Sequence, residues 1–413
     1  MASSRPPAVL AVAEFRAIWL AELLSLVGDQ LARVALAVLV FGRTGSASLA
    51  ALSYALTFLP ALVGGVALGG LADRFRRREV MVAADALRAV TVAVMALPGM
   101  PLWLLCVLLV LVVLAAAPHT AAQGALLPQV LPGHLYERGL AVRQITGQTA
   151  QLAGFSAGGL LVAAFTPEAA LLVNAGTFVL SGLLVRLGVA ARDRPAARAR
   201  AEAGRGGRGL VGVVAEIAAD PVRRALVLLA WLVGCYVVPE ALAAPYAAQI
   251  GAGPAVVGLL MAADPLGSVL GAWLFVRFVP PARRARLVGV LAVVAGLPLL
   301  PFALRPDVPV AVVLLAVSGM ASTAYLLQAQ AGFVLATPDG NRGRAIGVAA
   351  SGIVAGQGVA VLVGGLLADA WGAGGAITAG GAAGAVLALG GAVLWHRACR
   401  AGSPAATRAV AEG

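Results

Sequence analysis

The chain has 413 residues, of which 61% are hydrophobic and 12% charged, and its formal net charge is +12. A water-soluble domain carries about 45–50% apolar and about 25% charged residues, so this composition excludes an ordinary globule and points to a chain dissolved mostly in lipid. The positive balance does not mark a nucleic-acid binder, because the arginines fall in short bursts between apolar runs and not on one basic face.

A bilayer core takes about 20 apolar residues per helix. On that measure the sequence reads as twelve candidate membrane helices, at 17–41, 48–71, 79–98, 101–120, 140–164, 168–189, 224–247, 254–277, 285–304, 308–332, 344–368 and 373–395. The runs are too long, and alternate too little, for membrane strands. Only Arg5 precedes the first run, and no cleavage site follows it, so no cleaved signal peptide is expected. Cys106, Cys235 and Cys399 are odd in number and two sit inside apolar runs, which argues against a disulfide framework and against a metal site.

The connections alternate in character. Odd-numbered loops such as "RTGSAS", "LPGMP" and "WGAGG" are short and nearly free of charge. Even-numbered loops hold most of the basic residues, all of which are arginine: Arg74, Arg76, Arg77 and Arg78, then Arg138 and Arg143, then Arg283, Arg284 and Arg286, then Arg342 and Arg344, with only Arg43 and Arg305 clearly on the other side. Positive loops stay in the cytoplasm, which predicts two cytoplasmic termini and a multi-pass protein of the plasma (inner) membrane. The sequence divides into an N-terminal six-helix bundle (1–190), a cytoplasmic linker (191–223), a C-terminal six-helix bundle (224–396) and a cytoplasmic tail (397–413). Within the linker, 210–220 reads as a short amphipathic helix on the membrane surface or as solvated chain. The halves echo each other: aligning the two GGLL runs also places Arg138 on Arg344, as duplication of a six-helix unit would.

The stretch "GGLADRFRRR" (69–78) closes the second apolar run with one acid and four arginines. It resembles the loop 2–3 signature of the major facilitator superfamily, G-x-L-A-D-R-x-G-R-R, at Gly69, Leu71, Ala72, Asp73, Arg74, Arg77 and Arg78, with Arg76 where the family usually has glycine. "FRAIWLAELLSLVGDQLARVAL" and "AADALRAV" are similar to the branch that includes macrolide and siderophore exporters. The resemblance implies an all-α membrane fold of two pseudo-symmetric six-helix bundles around a central cavity. It also implies a gate in which an acid at the place of Asp73 holds helix 2 against the start of helix 11; wild-type transport by Asp73→Asn would remove that role. "AGFSAGGLL" in the fifth helix is similar to the family's antiporter motif at Gly154, Gly158 and Gly159, with Phe155 in place of proline, and implies export. Glycines at i and i+4 let helices approach closely, and the expected partner is the eighth helix, "LGSVLGAWLF".

Charges inside membrane helices are costly and so are functional candidates. The first helix has Asp29 and Arg33 on one face, and the third has the charge pair Asp85 and Arg88. At about 1.5 Å per residue, Asp29 and Arg88 lie roughly 18 and 14 Å from the cytoplasmic helix starts, level enough to pair; alternatively, Asp29 faces the cavity as a proton-binding carboxylate. Glu240, beside Pro239, is a second proton or cation candidate, and Asp264, beside Pro265, a third; either could instead serve a backbone group freed by the proline. His119, where the family's helix 4 arginine is absent, reads as structural, and Asp369 as interfacial. Tyr236 and Gln328 add polar groups that, with Trp231 and Phe333, would suit an amphipathic ligand, while Trp19, Trp103 and Trp395 read as interfacial anchors.

No phosphate-binding loop, nucleophile elbow or metal spacing occurs, so no enzyme activity and no cofactor are expected, and a proton gradient is the expected energy source. The expected function is proton-coupled efflux of a hydrophobic or amphipathic small molecule by a monomer, with the bilayer, protons and the substrate as its partners. Uptake of a small metabolite and a non-transporting membrane sensor are the alternatives.

Overall fold

The computed structural model describes residues 9–192, 210–338 and 342–400. The middle of the expected linker, 193–209, and the end of the expected tail, 401–413, lie outside the described residues. Among the described residues every regular element is helical. The first half of the sequence gives α1 (Ala13–Thr44), α2 (Ala47–Ala55), α3 (Leu59–Leu68), α4 (Leu71–Arg74), α5 (Arg77–Met95), α6 (Leu102–Val130), α7 (His134–Ala164) and α8 (Pro167–Gly188). The second gives α9 (Leu210–Ala219), α10 (Pro221–Trp231), α11 (Val233–Ala241), α12 (Ala243–Gln249), α13 (Pro254–Phe278), α14 (Pro281–Gly296) with a 3-10 extension (Leu297–Leu304), α15 (Val308–Ala336) and α16 (Arg342–Arg400).

The helix starts follow from local chemistry. Thr166, Asp220 and Asp307 each accept a backbone N–H of the first turn, and Pro167 and Pro221 occupy first helical positions where a missing N–H costs nothing. Prolines inside helices remove a backbone donor, and the expected seventh span, which contains Pro239 and Pro245, is divided into α10, α11 and α12.

Nine helices among the described residues are long and apolar enough to cross a membrane. The difference from twelve has physical causes. α16 contains two expected spans, separated at Gly372, whose φ of 79° breaks the helix. α5 and α7, at the expected third and fifth spans, are outside the nine; α5 carries Arg77, Arg78, Glu79, Asp85 and Arg88, and α7 carries Glu137, Arg138 and Arg143.

By internal contacts the chain forms two compact units, which do not follow sequence order throughout. Unit 1 is Met1–Leu36 with Pro60–Arg205; unit 2 is Ala37–Leu59 with Gly206–Gly413. The stretch Ala37–Leu59 therefore groups with the C-terminal half, whereas sequence order alone puts it in the first bundle. Its contacts show why: the Asp369 carboxylate accepts from the Ala47 amide at 2.7 Å and the Ser48 amide at 3.2 Å, and Tyr54 donates a hydrogen bond to Glu240.

Unit 1 is built around Phe15, Ile18, Met81, Leu126, Leu127, Leu131 and Val185. Its α7 lies close against α1. A Cβ on Gly154 would fall 2.6 Å from the Gln30 Cβ, and one on Gly158 would fall 3.0 Å from the Leu31 Cα. Both glycines thus serve a seam with the first helix. The "LGSVLG" stretch of α13 likewise works within its own unit, with Gly267 against Ala316 and Gly271 against Met320 of α15. In lipid such small-residue seams hold helices by van der Waals contact.

Candidate functional site

Two buried polar clusters stand out, one in each unit. In unit 1, α1, α5, α6 and α8 converge on Arg88. Its guanidinium donates to both oxygens of Asp29, at 2.9 and 2.7 Å, and to Ser25 Oγ at 3.1 Å. The Phe178 ring lies 3.9 Å beneath it. Arg88 is 4% exposed and Asp85 0%, so these two sit in a medium where charge–charge interactions are strong. Asp85, three residues before Arg88 and expected to be its partner, is 3.7 Å from the guanidinium, beyond hydrogen-bond reach. The closer partner is Asp29, the alternative that helix depth allowed. Asp85 instead accepts from Ser181 Oγ at 2.7 Å, and the Nε2 of His119 lies 3.5 Å from the same carboxylate oxygen.

In unit 2, Glu240 is 5% exposed and receives the Tyr54 hydroxyl. It lies close enough to Asp264 for the two carboxylates to feel each other's charge. Ser268 Oγ is 3.5 Å from Asp264 and bonded at 2.7 Å to Thr323, while Gly319 of α15 presses against Asp264 so closely that a Cβ would meet its Oδ1 at 2.7 Å. The Tyr325 hydroxyl and the Gln328 amide nitrogen are buried with no hydrogen-bond partner. The cluster combines two carboxylates, several hydroxyls and unused donors, which is what a cationic or hydrogen-bonding ligand needs.

Other candidates have structural work. The Tyr236 hydroxyl donates to the Ala292 carbonyl at 2.6 Å and Trp231 Nε1 to the Ala349 carbonyl at 3.0 Å, so neither group is available to a ligand as the sequence suggested. Trp395, expected at the interface, is 3% exposed and bonded to the Ala285 carbonyl; Trp103, at 69% exposed, has the environment of an anchor. Arg33 is half-buried. In the charged motif, Asp73 and Arg74 are exposed, whereas Arg77 donates to the Ala125 carbonyl on α6 and Arg78 to the Val189 carbonyl just beyond α8. The two arginines therefore tie the start of α5 to neighbouring helices. Gly69 precedes α4, and Gly159 is buried beside Gly158 on α7.

The sequence reading missed a third feature. Glu22 and Arg143 form a two-point ion pair at 2.6 and 2.7 Å at the wall of a cavity of about 400 Å³, which Gln144, Gln148 and Gln151 also line. The signal was present, because these glutamines recur at i, i+4 and i+7 on one helical face. A second cavity of about 440 Å³, lined by Leu68, Phe75, Leu87, Leu111 and Leu114 among others, is almost wholly apolar. Among the described residues no group of His, Cys, Asp and Glu is arranged to hold a metal ion.

The sequence profile of the Major Facilitator Superfamily matches residues 18–303. The chain is 30% identical over 123 residues to Macrolide efflux protein A of Streptococcus pyogenes, a match covering 29% of this chain and 30% of that relative. Along most of its length it is similar to the Multidrug efflux pump Tap of Mycobacterium tuberculosis, at 29% identity over 397 residues, 90% of this chain and 89% of the relative. Among solved structures, a bacterial homolog of the human lysosomal transporter Spinster in an inward-facing, occupied conformation superposes with a TM-score of 0.70 at 15% identity, covering 96% of each chain. The nucleoside transporter NupG superposes with a TM-score of 0.69 at 15% identity, covering 92% of this chain and 99% of that one.

Proposed function

Because the chain belongs to the Major Facilitator Superfamily, we propose that this multi-pass membrane transporter exports an amphipathic small molecule in exchange for protons. It crosses the plasma membrane twelve times, as two six-helix halves with cytoplasmic termini, and works as a monomer by alternating access, with Asp73, Arg74 and Arg77 acting at the cytoplasmic gate. The observation that carries the reading is the unit 2 cluster. Glu240 and Asp264 are two acids near enough to interact, with the unused Tyr325 hydroxyl near Asp264, and the Gln328 amide nitrogen, three residues further along α15, is also without a partner. Such a site favours a ligand that brings positive charge and apolar surface together, or protons in its place. The names of the relatives, a macrolide efflux protein and a multidrug efflux pump, support the outward direction.

Efflux of ethidium, an amphipathic cation, from energised cells tests the proposal. Cells expressing the chain should expel the dye, a protonophore should abolish the effect, and Glu240→Gln combined with Asp264→Asn should slow it at least tenfold. Rates equal to those of control cells across a panel of amphipathic cations would refute export of this class. Uptake of a small metabolite, the second reading, predicts accumulation instead.

A further inference from the structure

From the cavity between α1 and α7 we infer a second binding site, one that takes a neutral, hydroxyl-rich group of the size of a sugar ring. The inference concerns unit 1 alone and does not depend on the export reading.

The cavity follows from the spacing of one helix face. Arg143, Gly147, Gln151, Gly154 and Gly158 recur every three or four residues along α7, so they share one side of it. At one end of that face Gly154 and Gly158 bring α7 into close contact with Gln30 and Leu31 of α1. At the other end Arg143 holds Glu22 by two hydrogen bonds, at 2.6 and 2.7 Å, and Trp19 Nε1 donates to Thr146 Oγ1 at 2.7 Å. Between these contacts stands Gly147, where a Cβ would have no neighbour within 4 Å among the described residues. The two helices touch at both ends of the face and leave an opening of about 400 Å³. Small-ligand sites have volumes of about 300–1,000 Å³.

The chemistry of the wall selects the ligand. The charged residues of the lining are Glu22 and Arg143, and each is spent on the other, so the wall has no net charge to offer an ion. A cation entering would have to approach Arg143, and an anion Glu22. Gln144, Gln148 and Gln151 present both N–H donors and carbonyl acceptors. A group that donates and accepts from one atom matches such a mixed wall, and the hydroxyl is the simplest of these. A purely apolar guest would strip water from three carboxamides and return no hydrogen bond. Leu26 and Leu140 supply apolar surface for the C–H face of a ring. Gln30, beside Gly154, has a buried Oε1 without a hydrogen-bond partner, so the same seam has an acceptor to spare. Unit 2, where Glu240 and Asp264 are near enough to interact, favours a cation; this cavity does not.

The test uses the full chain in lipid nanodiscs near neutral pH. Methyl glucoside, methyl galactoside and inositol are the probes, and saturation-transfer NMR reads their binding. The chain has six tryptophans, so fluorescence referenced to Trp19→Phe isolates the residue bonded to Thr146. At least one probe should bind saturably and change the Trp19 signal. Gln148→Met with Gln151→Met keeps the length of both side chains and should weaken binding at least tenfold, with unchanged Trp19 emission in the empty protein as the check on folding. Glucosamine, mostly cationic at this pH, should bind wild type more weakly than the neutral sugars. Gln148→Glu adds one negative charge and should reverse that order, which decides the matter even where the methionine variant misfolds. No saturable binding by any of the three probes, undiminished binding by a folded methionine variant, or a wild-type preference for glucosamine would each overturn the inference. Ethidium efflux is measured separately, so its absence with sugar binding intact would count against the export reading alone.

Discussion

The two buried clusters solve one problem by different means. In unit 1, acids are balanced by a guanidinium held from several sides by Asp29, Ser25 and the Phe178 ring. In unit 2, Glu240 and Asp264 are surrounded by hydroxyls from Tyr54 and Ser268, with Tyr325 nearby and unused. A fixed cation gives a tightly defined geometry. Hydroxyl groups solvate a carboxylate without cancelling its charge, and leave it open to whatever cation arrives.

The contrast can be broken most severely at Arg88. Arg88→Ala strands the buried Asp85 and the half-buried Asp29 and should cost about 3–5 kcal/mol, read as a large drop in apparent melting temperature in detergent; adding Asp29→Asn should recover part of it. A small loss would mean that unit 1 does not depend on its cation. Tyr54→Phe removes one hydroxyl bonded to a charged group and should cost about 1.5–3 kcal/mol. Its effect should also be relieved by Glu240→Gln, since a neutral side chain needs less solvation, and absence of that coupling in a double-mutant cycle would count against the unit 2 description. The smallest effect is expected at the α2 start, where Asp369→Ala removes a carboxylate from the first amides of a helix and should cost about 1 kcal/mol. Hydrogen exchange at Ala47 and Ser48 would report it locally, and unchanged protection there would show that the clasp contributes nothing.

Much of this was legible in the residues. Apolar runs fixed the helices, because a membrane segment must satisfy its own backbone and cannot be short. Helix depth brought Asp29 level with Arg88 before any coordinates. What sequence could not supply were partners chosen across helices. The Asp85–Arg88 spacing is ideal for an i, i+3 pair, yet Asp29 competes for the guanidinium and wins. His119 looked isolated because Asp85 lies far from it in the chain. Trp395 carries the marks of an interfacial residue, and only packing beside α14 shows it to be core. The glutamine face of α7 was passed over because it carries no charge, although its spacing was plain. Membership of Ala37–Leu59 in unit 2 follows from Asp369 and Glu240, hundreds of residues or more than a hundred residues away in sequence.

Gly372 has a consequence for the length of the helices it separates. A straight helix from Arg342 to Arg400 would be about 90 Å long, three times the thickness of a hydrocarbon core. One backbone angle of positive φ, steadied by the Gln249 side chain accepting from the Gly374 amide at 2.9 Å, divides the run into two helices. A position with no side chain thus sets the length of the segments on either side of it.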